Sequence, residues 1–192
     1  DPKQLGDFLK RNLHIMLYFM IPIIIGGTML APIIIRDFFG EAYGPSVSPF
    51  ILLLYYAFLM ALSVMLANLL LALKKDKIYF STLTLGAVSN VTANIILIPY
   101  FQEIGSAAAM VISELVIVVF LFSRIRPLYQ ETWIEIKFLS MSLASAGVMA
   151  IGIFGAKIWS GLHGVALIIL GAAIYFAVSL PFCKKYIRKA SG

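Results

Sequence analysis

Long apolar runs separated by short polar stretches constrain this chain more than any other feature of its sequence. Six runs have about the 20 residues that a helix needs to cross a bilayer core. Lipid offers the backbone no hydrogen-bond partners, so only helices and closed barrels can span it. Barrel strands alternate apolar and polar residues, and these runs do not. The sequence therefore predicts an all-α, polytopic membrane protein: one bundle over 1–192 with transmembrane helices at about 14–35, 49–73, 78–99, 105–125, 136–157 and 162–182.

The composition excludes a soluble monomer. Hydrophobic residues make up 61% of the chain, charged residues make up 12%, and the mean hydropathy is +0.98. Soluble domains are about half apolar and roughly a quarter charged. The net charge of +6 does not indicate nucleic-acid binding, because the basic residues fall in short clusters between the apolar runs.

The distribution of those basic clusters predicts an orientation. With six spans, 13 of the 15 Lys and Arg residues fall on one side, and Arg36 and Lys157 fall on the other. Loops rich in Lys and Arg stay in the cytoplasm. We therefore expect a multi-pass protein of the cell inner (cytoplasmic) membrane, with both ends of this segment cytoplasmic. The chain opens on Asp-Pro-Lys rather than Met, and we interpret it as a piece of a longer protein.

The first run contains Pro22, Gly26 and Gly27, which are hinge candidates. Proline removes a main-chain hydrogen bond and clashes with the preceding turn of a helix. Such a helix can bend during a conformational cycle. Proline is also frequent in membrane helices without any such role, so a hinge and a tolerated proline both stay open.

Four polar residues inside apolar runs are candidates for a cavity or substrate site. They are Asn68 in the second run, Asn90 and Asn94 in the third, and Glu114 in the fourth. Polar groups that face lipid are costly, so these side chains should face protein or water. Hydrogen bonds that only hold helices together are the alternative. If the third and fourth runs form a hairpin, Asn90 should be the asparagine nearest to Glu114 in depth.

Motifs for catalysis are absent from the sequence. There is no HExxH or CxxC metal motif, no GxSxG elbow and no phosphate-binding loop, and Cys183 is the single cysteine. We therefore predict neither an enzyme nor a cofactor or metal site.

Short motifs follow one another in a fixed order over about residues 15–120. They consist of Pro22, Gly26, Leu30-Ala31, Phe39-Gly40, Tyr43 and Ser46, then Leu70 to Lys74, Gly86-Ala87, Asn90, Asn94, Ile98-Pro99, Gly105, Ala107-Ala108 and Ser113-Glu114. This ordered set resembles the pattern of polysaccharide and O-antigen flippases of the multidrug/oligosaccharidyl-lipid/polysaccharide exporter superfamily. Two glycines of that pattern are replaced here, by Lys74 and by Gln102, and Ser106 replaces an alanine.

The resemblance implies the C-terminal, MATE-like half of a two-lobed transporter whose N-terminal lobe is missing from this chain. The implied function is movement of a lipid-linked oligosaccharide across the membrane by alternating access, with that glycan and membrane lipids as partners. The family's cavity offers cations to the lipid diphosphate. Arg36 and Lys157 lie near the outer ends of their runs, so these cations would come from the missing lobe.

Two other functions stay open at this point. A MATE-type exporter of drugs or cations would share the architecture. A membrane scaffold without transport activity would use the same polar residues only to hold its helices together.

Overall fold

The computed structural model describes residues 2–126, 136–159 and 164–189. All of the regular structure in these ranges is helical, which confirms the all-α prediction. A short 3₁₀ segment, Glu41–Ser46, follows the first helix. The five α-helices are α1 (Pro2–Phe39), α2 (Val47–Ala72), α3 (Asp76–Ile125), α4 (Ile136–Trp159) and α5 (Gly164–Lys189).

Each of these five helices is long and apolar enough to cross a membrane. The chain is therefore a multi-pass membrane protein, as predicted. The predicted count of six spans differs from the five helices because α3, with 50 residues, covers both the third and the fourth predicted spans. The sixth predicted span begins at residue 162, outside the described residues, and continues in α5.

α3 consists of two arms, 76–101 and 103–125, that meet at Gln102. The backbone of Gln102 is not helical (φ 50°, ψ −124°). A straight helix of this length would extend about 75 Å, more than twice the bilayer core of roughly 30 Å. The arms instead lie side by side and antiparallel. Asn90 Nδ2 is 3.1 Å from Ser113 Oγ, and a Cβ at Gly86 would lie 2.5 Å from Ile117 Cδ1.

Gly105 allows the two arms to approach closely after this turn. A Cβ on Gly105 would overlap the carbonyl group of Leu97, lying 2.7 Å from its carbon, and would be 3.1 Å from the main-chain nitrogen of Ile98. These are backbone atoms, which cannot move aside as a flexible side chain can. The absence of a side chain at residue 105 is therefore a requirement of the hairpin.

The connection from α2 to α3 is a Schellman turn. The N–H of Lys75 donates to Leu70 O at 2.9 Å, and the N–H of Lys74 donates to Leu71 O at 2.9 Å. Lys74 has φ 55°, the left-handed conformation that this turn requires and that glycine usually supplies. Lys74 and Gln102 are the two non-glycine residues with positive φ in the described part of the chain. They are the positions where the flippase pattern has glycine.

The chain divides into two compact units. One unit contains α2 and α3. The other contains α1, the 3₁₀ segment, α4 and α5. The expectation that all helices form a single bundle stays a prediction.

Within the unit that contains α1, helix α5 runs antiparallel to α1, and α4 runs parallel to α1. Near one end of the α1–α5 pair, the hydroxyls of Tyr18 and Ser179 are 2.9 Å apart. At the other end, the N–H of Gly164 donates to Asp37 Oδ2 at 3.0 Å. The ring of His14 lies 4.3 Å from that of Phe138 in α4.

Candidate functional site

Glu114 lies in the second arm of α3 and is 8% exposed. The hydroxyl of Ser63 in α2, itself buried, donates a hydrogen bond to Glu114 Oε1. The same hydroxyl is 3.0 Å from Met60 O. Ser63 shares one face of α2 with the buried residues Leu66 and Leu70 at helical spacing. The carboxyl group is therefore held between two helices of one unit, where water has little access.

Asn90 was expected to be the asparagine nearest to Glu114 in depth, and the structure places it level with the residue before Glu114. Asn90 Nδ2 donates to Ser113 Oγ at 3.1 Å, one residue before Glu114. Successive residues of a helix point about 100° apart. Ser113 therefore faces the first arm of α3, whereas Glu114 faces α2 and meets Ser63.

Asn94 extends this arrangement by one turn of the first arm. Its Nδ2 donates to Asn90 Oδ1 at 3.1 Å and to Asn90 O at 2.9 Å. Ser113 Oγ in turn lies 3.0 Å from Met110 O. Both asparagines are half-buried. A chain of hydrogen bonds thus joins the two arms through two asparagines and one serine, beside the Ser63–Glu114 contact.

Asn68 does not join the other candidates. It is exposed on α2, five residues after Ser63 and therefore about 140° away around the helix. The structure thus brings Asn90 and Asn94 together, brings their partner Ser113 next to Glu114, and leaves Asn68 on another face of α2.

The hinge candidates lie in an unbroken helix. α1 continues through Pro22 and Pro32. Gly26 is buried against α4, where an added Cβ would lie 3.4 Å from Met149 Cε. Gly27 is half-buried. Whether α1 bends at these residues stays a prediction.

Ser63 is the site residue that the sequence interpretation missed. The positions of Ser63 and Glu114 within their predicted spans could have indicated that the two residues lie at similar depth in the membrane. Ser63 lies ten residues before the end of the second predicted span, and Glu114 lies eleven before the end of the fourth. These spans cross in the same direction, so the two side chains fall at similar depth. Their contact also requires that the two helices be neighbours, which depth does not reveal.

The chemistry of these residues is hydrogen bonding. Hydroxyls, carboxamides and one carboxyl can bind polar groups of a substrate or bind one another. Among the described residues, no three His, Cys, Asp or Glu side chains are grouped so that they could hold a metal ion. Arg124, near the end of α3, lies over the ring of Phe120 with its Cζ 5.0 Å from the centroid.

Comparison with known proteins gives one informative likeness. No protein-family model matches the chain, and no curated protein matches it. Its structure is similar to that of a lipid II flippase, described as "Lipid II flippase MurJ, inward closed conformation", with a TM-score of 0.82 and 22% sequence identity. The match covers 97% of this chain and 41% of that protein. At this identity the likeness establishes the fold: the chain is folded like somewhat less than half of a polytopic flippase.

Proposed function

We propose that this chain is part of a membrane transporter that moves a lipid-linked glycan precursor across the cytoplasmic membrane by alternating access. The observation that carries the proposal is the fold likeness over 97% of the chain to a lipid II flippase. The motif resemblance to polysaccharide and O-antigen flippases points to the same superfamily independently of the structure. Lipid II and the O-antigen precursor are both lipid-linked glycan precursors. We therefore propose this class of substrate, and the transport experiment below identifies the particular glycan.

Alternating access requires one bundle to move against another around a shared site. The chain spans 41% of the length of the flippase that it resembles, which leaves room for a second lobe. In our proposal the missing N-terminal lobe of the same protein completes the cavity. It also supplies the cations for the lipid diphosphate, because the basic residues of this chain lie outside the predicted spans or near the ends of those spans.

The polar residues of α2 and α3 have different proposed roles. Asn90 and Asn94 are half-buried and can turn from each other to a sugar hydroxyl with little rearrangement. Asn68 is exposed on its unit and is a candidate for the cavity wall. Glu114 already has the Ser63 hydroxyl as its partner. We assign it mainly a packing role, since such intramembrane contacts are commonly structural and contribute roughly 0.6–2 kcal/mol.

The proposal is tested with the full-length protein in proteoliposomes that contain a fluorescent lipid-linked glycan. The readout is the fraction of glycan that a membrane-impermeant enzyme can reach. We expect protein-dependent exchange between leaflets, and slower exchange for Asn90→Ala and Asn94→Ala. Thr92→Val is the matched control, because Thr92 is exposed on the same arm and bonds only to its own helix, at Val88 O.

Three outcomes separate the competing functions. Exchange of the glycan supports a flippase, and comparison of O-antigen precursor with lipid II identifies the substrate. Movement of cationic drugs without movement of either lipid would favour the MATE-type exporter. If no substrate moves, and cysteines placed at positions 90 and 94 label at the same rate with and without glycan, the scaffold function is favoured instead.

A further inference from the structure

The main-chain carbonyl of Tyr18 lacks the donor that an ordinary helix would supply. In an α-helix the C=O of residue 18 accepts a hydrogen bond from the N–H of residue 22. Residue 22 is proline, which has no N–H. Tyr18 is 4% exposed, so water has little access to this carbonyl. Leaving a buried acceptor unpaired is costly.

α5 provides the missing donor. The hydroxyl of Tyr175, which is fully buried, donates to Tyr18 O at 2.8 Å. The two rings are 5.4 Å apart between centroids. The tyrosine hydroxyl therefore replaces the N–H that Pro22 removes, and the replacement comes from a different helix.

The same face of α5 also holds the side chain of Tyr18. Ser179, four residues after Tyr175 and 1% exposed, has its Oγ 2.9 Å from the Tyr18 hydroxyl. Residues four apart lie one above the other on a helix. α5 thus binds Tyr18 twice, at its main chain through Tyr175 and at its side chain through Ser179.

We propose that Tyr175 is a positioning residue that fixes α1 at Pro22, and that any bending of α1 at this proline first breaks the Tyr175–Tyr18 hydrogen bond. A helix is weakest where a main-chain bond is missing. The Tyr175 bond restores that contact only while α5 stays in place. The position of α5 therefore controls the flexibility of α1 at this point. This inference goes beyond the proposed function and does not depend on it.

The test is a double-mutant cycle between Tyr175→Phe and Pro22→Ala in the full-length protein. Phenylalanine keeps the ring and removes the donor, whereas alanine at position 22 restores the N–H. The readout is amide hydrogen exchange of peptides that cover residues 19–27, with no substrate present. We expect Tyr175→Phe alone to speed this exchange about tenfold. With Pro22→Ala already present, we expect it to change the exchange less than twofold.

Ser179→Ala is the matched control, since it removes the contact of the Tyr18 side chain and leaves the carbonyl bond in place. It should affect exchange equally in the native background and in the Pro22→Ala background. An equal effect of Tyr175→Phe in both backgrounds, or no effect in either, overturns the proposal. If Tyr175→Phe prevents folding in the native background and is tolerated together with Pro22→Ala, the proposal stands. Failure to fold in both backgrounds refutes it.

Discussion

Replacement of Gly105 by alanine should open the hairpin of α3. The new methyl group would overlap the Leu97 carbonyl, only 2.7 Å from its carbon and 3.1 Å from the nitrogen of Ile98. Ordinary van der Waals contact with such atoms begins near 3.4 Å. The arms would therefore have to separate by several tenths of an ångström. Overpacking of this kind costs about 1–3 kcal/mol, and occasionally more.

Gly147→Ala is the matched control for this prediction. Gly147 lies within α4, and a Cβ there would meet nothing within 4 Å. The substitution should therefore be neutral or stabilise the protein by up to about 0.5–1 kcal/mol, because alanine favours the helix. The difference in unfolding free energy between the two alanine variants should thus be about 1–4 kcal/mol.

The assay is unfolding of the full-length protein in mixed micelles by increasing sodium dodecyl sulfate, followed by circular dichroism or tryptophan fluorescence. Gly105→Ala should shift the midpoint to lower detergent fraction, and Gly147→Ala should not. If both variants unfold at the same point as the native protein, the main chains of the two arms do not approach as closely as the structure shows, and the reasoning is wrong.

Three further outcomes follow from particular residues. Lys74→Gly should stabilise the protein by about 1 kcal/mol in the same unfolding assay, because glycine adopts positive φ without the cost that a side chain imposes; a loss of stability would contradict the Schellman turn at this residue. Glu114→Gln should leave transport by the full-length protein nearly unchanged, and Glu114→Leu should mainly lower stability. Lost transport in the Gln variant at normal protein level would instead make Glu114 a coupling residue. With Cys183→Ala as background, an impermeant thiol reagent should label a cysteine replacing Gln102 in intact cells and should not label one replacing Lys75; the reverse pattern would overturn the predicted orientation.

The helices themselves could be read from the sequence. An apolar run long enough to cross lipid has to be helical, because no other open structure satisfies its backbone there. The interruption at Gln102 was also predictable, since the two predicted spans in α3 are separated by a short segment that contains Gln102 and Glu103. The flippase pattern that the sequence resembles has glycine at the positions of Lys74 and Gln102. Glycine at a turn is typical of a positive φ, and both residues have one.

The partners of the polar residues could not be read in the same way. Depth put Glu114 level with Asn90, and the sequence interpretation did not consider Ser63, which lies at a similar depth. The structure pairs Glu114 with Ser63, because the carboxyl group points towards α2 and the neighbouring Ser113 points towards Asn90.

The sequence by itself thus determined which segments are able to cross the membrane, because burial in lipid depends on the length and hydrophobicity of each local segment. Only the tertiary structure decided which helices became neighbours and which polar groups met. Pro22 illustrates both the contribution of the sequence and that of the tertiary structure. A proline at this position removes the N–H that would donate to the main-chain carbonyl of Tyr18. The hydroxyl that replaces it belongs to Tyr175, 157 residues after Tyr18. No local pattern identifies that residue, because the contact exists only when α5 packs antiparallel against α1.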